Sequence, residues 1–245
     1  MKNTDSIKEN TFIKGIIDGV PICLGYFSVA FAFGIFTVAN GLTSLEALLI
    51  SMTNVTSAGQ LAAVPIIVSG GTLFELAASQ FIINLRYALM SVTLSQKLDG
   101  SVSVADRFLI AFVNTDEVFA VASSKKAVGK KYMLGLILTP YLGWSAGTIV
   151  GAVAGNVLPA LLISALGIAI YGMFIAIVVP PAKEDKHILF CVIIAIVLSC
   201  MFRFIPLLSK VHSGFVIIIC AVAASALAAV LFPINSAGKE DNDEL

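Results

Sequence analysis

Residues 213–233 read SGFVIIICAVAASALAAVLFP, an apolar run with no Lys, Arg, Asp or Glu. A hydrocarbon core about 30 Å thick takes roughly 20 apolar residues to cross as a helix, so a run of this length reads as a membrane span. It must be helical, because an open strand in lipid leaves its backbone donors and acceptors unpaired. Similar runs recur upstream, and together they give eight expected spans: 15–39, 44–68, 72–96, 104–124, 132–154, 157–180, 187–207 and 213–233. Seven is the alternative, since the second and third runs are polar and separated only by Gly70-Gly71. The expected fold is an all-α, polytopic transmembrane helical bundle. Its transport domain covers residues 15–233, between an N-terminal tail (1–14) and an acidic C-terminal tail (234–245).

Composition agrees. The chain is 58% hydrophobic and 12% charged, with a mean hydropathy of +0.99, against about 25% charged residues in a typical soluble domain. The net charge of zero offers no field to recruit nucleic acid. Cys23, Cys191, Cys200 and Cys220 all lie in apolar runs without metal-ligand or redox spacing, which predicts inert thiols. No phosphate loop, zinc-ligand pattern or nucleophile elbow stands in a supporting context, so neither a cofactor nor an enzymatic activity is expected. The first apolar run follows a mixed-charge tail and continues past signal-peptide length, so it is expected to stay in the membrane.

The basic residues set an orientation. With the N-terminus inside and eight crossings, Lys2, Lys8, Lys14, Lys125, Lys126, Lys130, Lys131, Lys183, Lys186 and Lys239 fall on the cytoplasmic side, and Lys97, Arg107 and Lys210 outside. This allocation obeys the positive-inside rule and puts both termini in the cytoplasm. The cluster Lys125 to Lys131 is also suited to anionic lipid. A faint internal duplication pairs Leu24-Gly25-Tyr26 with Leu142-Gly143-Trp144 and Ala47-Leu48-Leu49-Ile50-Ser51 with Ala160-Leu161-Leu162-Ile163-Ser164. Such repeats underlie many transporters.

Charges within spans need a reason, since an ionised side chain at the bilayer centre costs about 2.5–3.5 kcal/mol even on the lenient insertion scale. Three stand out: Arg86, Asp116 and Glu117. Arg86 and Asp116 sit at similar depth on consecutive antiparallel spans, so an ion pair from Arg86 to Asp116 or Glu117 is within reach. It either locks two helices together or lines a transport route. In the third run Gln80, Asn84, Tyr87, Ser91 and Ser95 share one helical face, which must pack on other helices or line a wet cavity. In the second, Met52-Thr53-Asn54-Val55-Thr56-Ser57-Ala58-Gly59-Gln60 weakens the helix where polar groups are densest. That pattern predicts a broken helix with exposed backbone dipoles, or else close small-residue packing. Asp18 and Pro21 lie near the inner boundary of the first span.

The elements Asn84-Leu85-Arg86-Tyr87-Ala88-Leu89-Met90-Ser91 and Thr115-Asp116-Glu117-Val118-Phe119-Ala120 resemble the AzlC family, the large subunits of branched-chain amino acid exporters. Pro21, Leu24-Gly25-Tyr26, Phe31, Phe33-Gly34 and Gln60-Leu61-Ala62-Ala63 extend the resemblance over most of residues 12–125. The family usually has an aromatic residue and a small-residue turn ahead of the glutamine, where this chain has Val55 and Ser57-Ala58-Gly59. The resemblance implies a cell-membrane secondary transporter exporting leucine, isoleucine, valine or similar neutral amino acids, together with a small AzlD-type membrane subunit. Asn54, Ser57, Gly59, Gln60, Asn84, Arg86 and Tyr87 are the expected substrate contacts, and Asp116 and Glu117 the expected proton-coupling acids. Without a nucleotide-binding motif, energy would come from the proton gradient or membrane potential. A small-solute channel and a membrane-embedded enzyme are the competing classes.

Overall fold

The computed structural model describes residues 10–159, 161–162, 172, 175 and 178–232. The chain divides into two compact units, Met1–Met173 and Phe174–Leu245, each described by itself. The first unit contains α1 (Phe12–Ala39), α2 (Ser44–Thr53), α3 (Ser57–Val68), α4 (Leu73–Ser95), α5 (Val104–Phe112), α6 (Asp116–Ser123) and α7 (Lys130–Gly155). The second contains α8 (Lys186–Phe204) and α9 (Ser213–Leu231), joined through a 3-10 turn at Leu208–Lys210. The helical class is as the sequence predicts.

The first unit is built on α1 and α7, which pack side by side and parallel. Their contact is lined with glycine. A Cβ on Gly15 would overlap the Tyr132 carbonyl, and one on Gly151 would overlap that of Phe31, so only glycine lets the two backbones come this close. The register runs from Gly15 beside Tyr132, through Cys23 beside Gly143, to Phe31 beside Gly151. The duplicated triplets Leu24-Gly25-Tyr26 and Leu142-Gly143-Trp144 therefore lie at matching depth, with the Tyr26 and Trp144 rings edge to face at 5.0 Å. Their apolar surroundings, Ile22, Ala30, Tyr132, Met133 and Leu136, are buried.

Two of the eight expected spans do not cross. The run 44–68 breaks at Asn54-Val55-Thr56, and 104–124 breaks at Val113-Asn114-Thr115. At 1.5 Å per residue the four pieces are about 12–18 Å long, roughly half the hydrocarbon thickness. Contacts with the long helices show that each pair turns back. Helix α2 runs antiparallel to α7: Asn156 donates to Ser44 at 3.0 Å, Ser51 meets Thr148 at 2.6 Å, and Tyr141 donates to the Met52 carbonyl at 3.1 Å. Helix α3 then returns, with Gln60 beside Trp144 and Val64 against Ala32 and Phe33 on the far half of α1.

The second hairpin enters from the other face. Helix α5 follows α7 inward, with Asp106 2.8 Å from Lys130 and the Phe112 and Tyr141 rings 6.3 Å apart. Helix α6 returns along α1: Glu117 accepts from the Tyr26 hydroxyl, and Lys125 lies 3.8 Å from Asp18. Asp18 is also bound by Lys14 at 2.6 Å and by the Tyr132 hydroxyl at 2.9 Å, so this boundary carboxylate is fully engaged. Among its described residues the unit has three long helices, α1, α4 and α7, and two half-depth hairpins, α2–α3 and α5–α6, entering from opposite faces.

This geometry corrects the allocation of basic residues. The loop after α4 is tied to the loop before α7: Asp99 N–H donates to the Val128 carbonyl at 3.0 Å, and Val128 N–H to the Lys97 carbonyl at 2.9 Å. The Lys97 ammonium donates to the Ser123 carbonyl, and Lys130 N–H to Ser101 Oγ at 3.0 Å. Lys97 and Arg107 therefore share a face with Lys14 and the 125–131 cluster instead of opposing it. The reason is topological: a hairpin that re-enters adds residues without changing sides. The opposite loops, 40–43 and 69–72, carry no Lys or Arg. Single cysteines introduced at Gly100 and Lys126 are expected to react with the same membrane-impermeant thiol reagent from the same side, and one at Gly70 from the other. Opposite labelling at 100 and 126 would restore a crossing at 104–124.

In the second unit, Asp185 caps α8 by accepting from His187 N–H at 2.7 Å, and that bond holds its carboxyl below the usual range. Both helices are long and apolar enough to cross a membrane. Most of 157–180 and all of 234–245 lie outside the described residues, so the expectations there stay at the level of sequence.

Candidate substrate site between two helix breaks

The two hairpin tips meet at mid-depth, where Tyr141 touches both through the Met52 carbonyl and the Phe112 ring. The polar stripe of α4 faces them. Gln80 fixes the first break: its Nε2 donates to the Gly59 carbonyl at 2.9 Å, and its Oε1 accepts from Asn54 Nδ2 at 2.8 Å. Thr56 Oγ1 donates to Asn54 Oδ1 at 2.7 Å. Ser91 accepts from Asn114 Nδ2 at 3.1 Å and so holds the second break. Gly59 is required by this clamp, because a Cβ there would press into Thr56 Oγ1 and Gln80 Oε1.

Between the breaks lies a cavity of about 190 Å³, lined by Thr53, Asn54, Val55 and Thr56 from the first, Ala111, Phe112, Asn114 and Thr115 from the second, and Asn84 and Tyr87 from α4. Drug-sized pockets run about 300–1,000 Å³, so this one suits a smaller solute. Its wall combines apolar groups (Val55, Ala111, Phe112) with amides and hydroxyls.

Helix ends give the cavity its field. The surface starts of α1, α2, α4 and α5 are closed by their own Thr11, Thr43, Thr72 and Ser103 side chains. The mid-depth starts of α3 and α6 are not: Thr56 and Thr115 make no side-chain cap bond, although both line the cavity. An uncapped helix start presents free N–H donors and the positive end of the helix dipole. The first turn of α6 carries Asp116 and Glu117, which answer that potential, whereas the first turn of α3 holds no acid.

The two acids part company. Asp116 meets Arg86 at 2.8 Å, and Arg86 also donates to the Tyr87 hydroxyl at 3.0 Å. Glu117 points to the other side of α6 and takes the Tyr26 hydroxyl; among the described residues no cation lies within ion-pair distance of it.

A family-wide comparison matches residues 21–158 to AzlC, described as AzlC protein. The chain belongs to the AzlC family. That membership marks it as a membrane protein with a transport-related role, and the matched AzlC region contains both hairpins and every residue lining the cavity. Among relatives, an "Uncharacterized membrane protein" of Archaeoglobus fulgidus is 33% identical over 183 residues, covering 74% of this chain and 80% of its own. The "Inner membrane protein YgaZ" of Escherichia coli K12 is 28% identical over 196 residues, covering 76% and 79%. No solved structure matches.

Of the site residues expected from sequence, Asn54, Asn84 and Tyr87 line the cavity of this AzlC chain, and Ser57 and Gly59 form the first turn of α3 beside it. Gln60 faces away, 1% exposed, its Oε1 accepting from Trp144 at 3.2 Å. Arg86 is not in the lining. Sequence reading missed Asn114 and Phe112, and did not assign Tyr26 or Trp144 as partners of Glu117 and Gln60. A signal for the second break was present: Thr115 followed by Asp116-Glu117 is a helix start, an N-cap with acids in the first turn, inside a run read as continuous.

Proposed function

We propose that this AzlC-family chain is the large subunit of a secondary transporter that exports branched-chain or similar small neutral amino acids across the cytoplasmic membrane. The face carrying Lys14, Lys97 and Lys125 to Lys131 is cytoplasmic by the positive-inside rule. The observation that carries the reading is the cavity of about 190 Å³ held between two helix breaks at mid-depth, where secondary transporters place their substrates. Opposed half-depth hairpins give a route to change access from one face to the other around a fixed site. Energy comes from the proton gradient or membrane potential. Glu117 carries the proton: its bond to Tyr26 can be kept by either protonation state of the acid. Arg86 and Asp116 hold α4 to α6 beside the site. A small AzlD-type membrane subunit completes the exporter.

The test is efflux from cells loaded with a leucine dipeptide, which releases leucine inside. Cells carrying this chain and its small partner are expected to clear leucine, isoleucine and valine faster than cells lacking either, and to lose the advantage when the gradient is collapsed. Efflux that continues unchanged without a gradient, with a measurable conductance, would make the protein a channel.

A further inference from the structure

The ends of the site differ in chemistry, and the difference selects a ligand. At one end, behind the lining residue Thr56, the start of α3 has no acid in its first turn and, among the described residues, no side-chain cap on its N–H donors. At the other, acceptors lack donors. Asn114 is 3% exposed and lines the cavity, yet among the described residues its Oδ1 has no partner, and neither has Asn84 Oδ1. The orientation of the Asn84 amide is fixed by a chain of bonds. The Gly59 carbonyl can only accept, so Gln80 presents Nε2 to it and leaves Oε1 as an acceptor; Asn84 must then give Nδ2 to Gln80 Oε1, at 3.4 Å. Its oxygen is left without a donor, in a residue that lines the cavity. A buried amide oxygen without a donor costs stability unless a ligand or water supplies one.

Resting on the proposed transport of amino acids, we infer that this site reads the zwitterionic headgroup. The α-carboxylate docks on the uncapped start of α3, where N–H groups and the helix dipole both favour an anion. The α-ammonium is received by Asn84 Oδ1 and Asn114 Oδ1, near the carbonyl end of α5. Val55, Ala111 and Phe112 are left to contact the side chain. Arg86 is not the carboxylate receptor, because Asp116 already neutralises it at 2.8 Å.

The experiment is equilibrium binding of radiolabelled leucine to the purified full chain, competed by unlabelled leucine, leucinamide (no carboxylate) and 4-methylpentanoate (no ammonium). A lost hydrogen bond to a charged group corresponds to roughly 10-fold or more in affinity. Each analogue is expected to compete at least that much more weakly than leucine. Asn84→Ala and Asn114→Ala should weaken leucine by a similar factor, yet leave 4-methylpentanoate unchanged, since it has no ammonium to lose. Equal competition by leucine and either analogue would overturn the headgroup assignment while leaving amino-acid transport intact. So would an Asn84→Ala effect of equal size on leucine and 4-methylpentanoate. No binding of leucine, isoleucine or valine at all would instead overturn the transport reading. The analogue series on the unaltered chain decides the matter even if an asparagine variant does not fold.

Discussion

Glu117→Gln is expected to abolish net, gradient-driven leucine export while leaving leucine-for-leucine exchange close to wild type. The glutamine keeps the size of the side chain and an oxygen that can accept from Tyr26, so the α1–α6 contact survives. What it loses is the capacity to bind and release a proton. Exchange requires only that the loaded site change access, whereas net export requires the empty carrier to return with its proton state altered. The two activities therefore separate if Glu117 carries the coupling proton, and reconstituted vesicles with an imposed pH gradient measure both. Loss of exchange and net export together would make Glu117 part of the packing; retention of both would remove it from coupling. Asp116 offers no such switch, because its carboxylate is committed to Arg86 at 2.8 Å.

The elements legible in the sequence were those with local signatures. Long apolar runs gave the helical class, and the Gln80, Asn84, Tyr87, Ser91 spacing gave a face that does pack on polar breaks. Asn54 to Gly59 gave the first break, because its hydroxyls, small residues and amides crowd one turn. The second break was hidden by length. Residues 104–124 are as long and apolar as a crossing helix, and Val113-Asn114-Thr115 contains neither Gly nor Pro to interrupt it. Hydropathy measures burial in lipid and cannot separate a helix that crosses from two half-helices that enter and return. The misplacement of Lys97 and Arg107 followed directly. Only non-local bonds, such as Val128 N–H to the Lys97 carbonyl, reveal that the two loops share a face. The lining role of Asn114 was hidden for the same reason, since within a continuous helix it would have been one more polar residue on a packed face.

Arg86→Gln alone is expected to reduce the amount of folded protein in the membrane severely, and Asp116→Asn alone to do much the same. Either change strands one charge at mid-depth, where an unpaired ion costs about 2.5–3.5 kcal/mol even on the lenient insertion scale. The double variant Arg86→Gln/Asp116→Asn removes both charges and should restore insertion. It should also restore export to the order of wild type, because neither side chain lines the cavity and an amide pair can still hydrogen-bond α4 to α6. The charge-reversed pair Arg86→Asp/Asp116→Arg is a sharper probe than it first looks. It rebuilds the ion pair, but it places a cation in the first turn of α6, where the helix dipole favours an anion by about 0.3–1 kcal/mol. It should therefore be less stable than the double neutral variant, the reverse of what a simple bridge predicts. Membrane-fraction yield and leucine efflux, measured on all four variants, read the two effects apart. A double neutral variant that inserts normally yet cannot export would put Arg86 in the path of the substrate carboxylate. The start of α3 would then lose its assignment as the anion receptor.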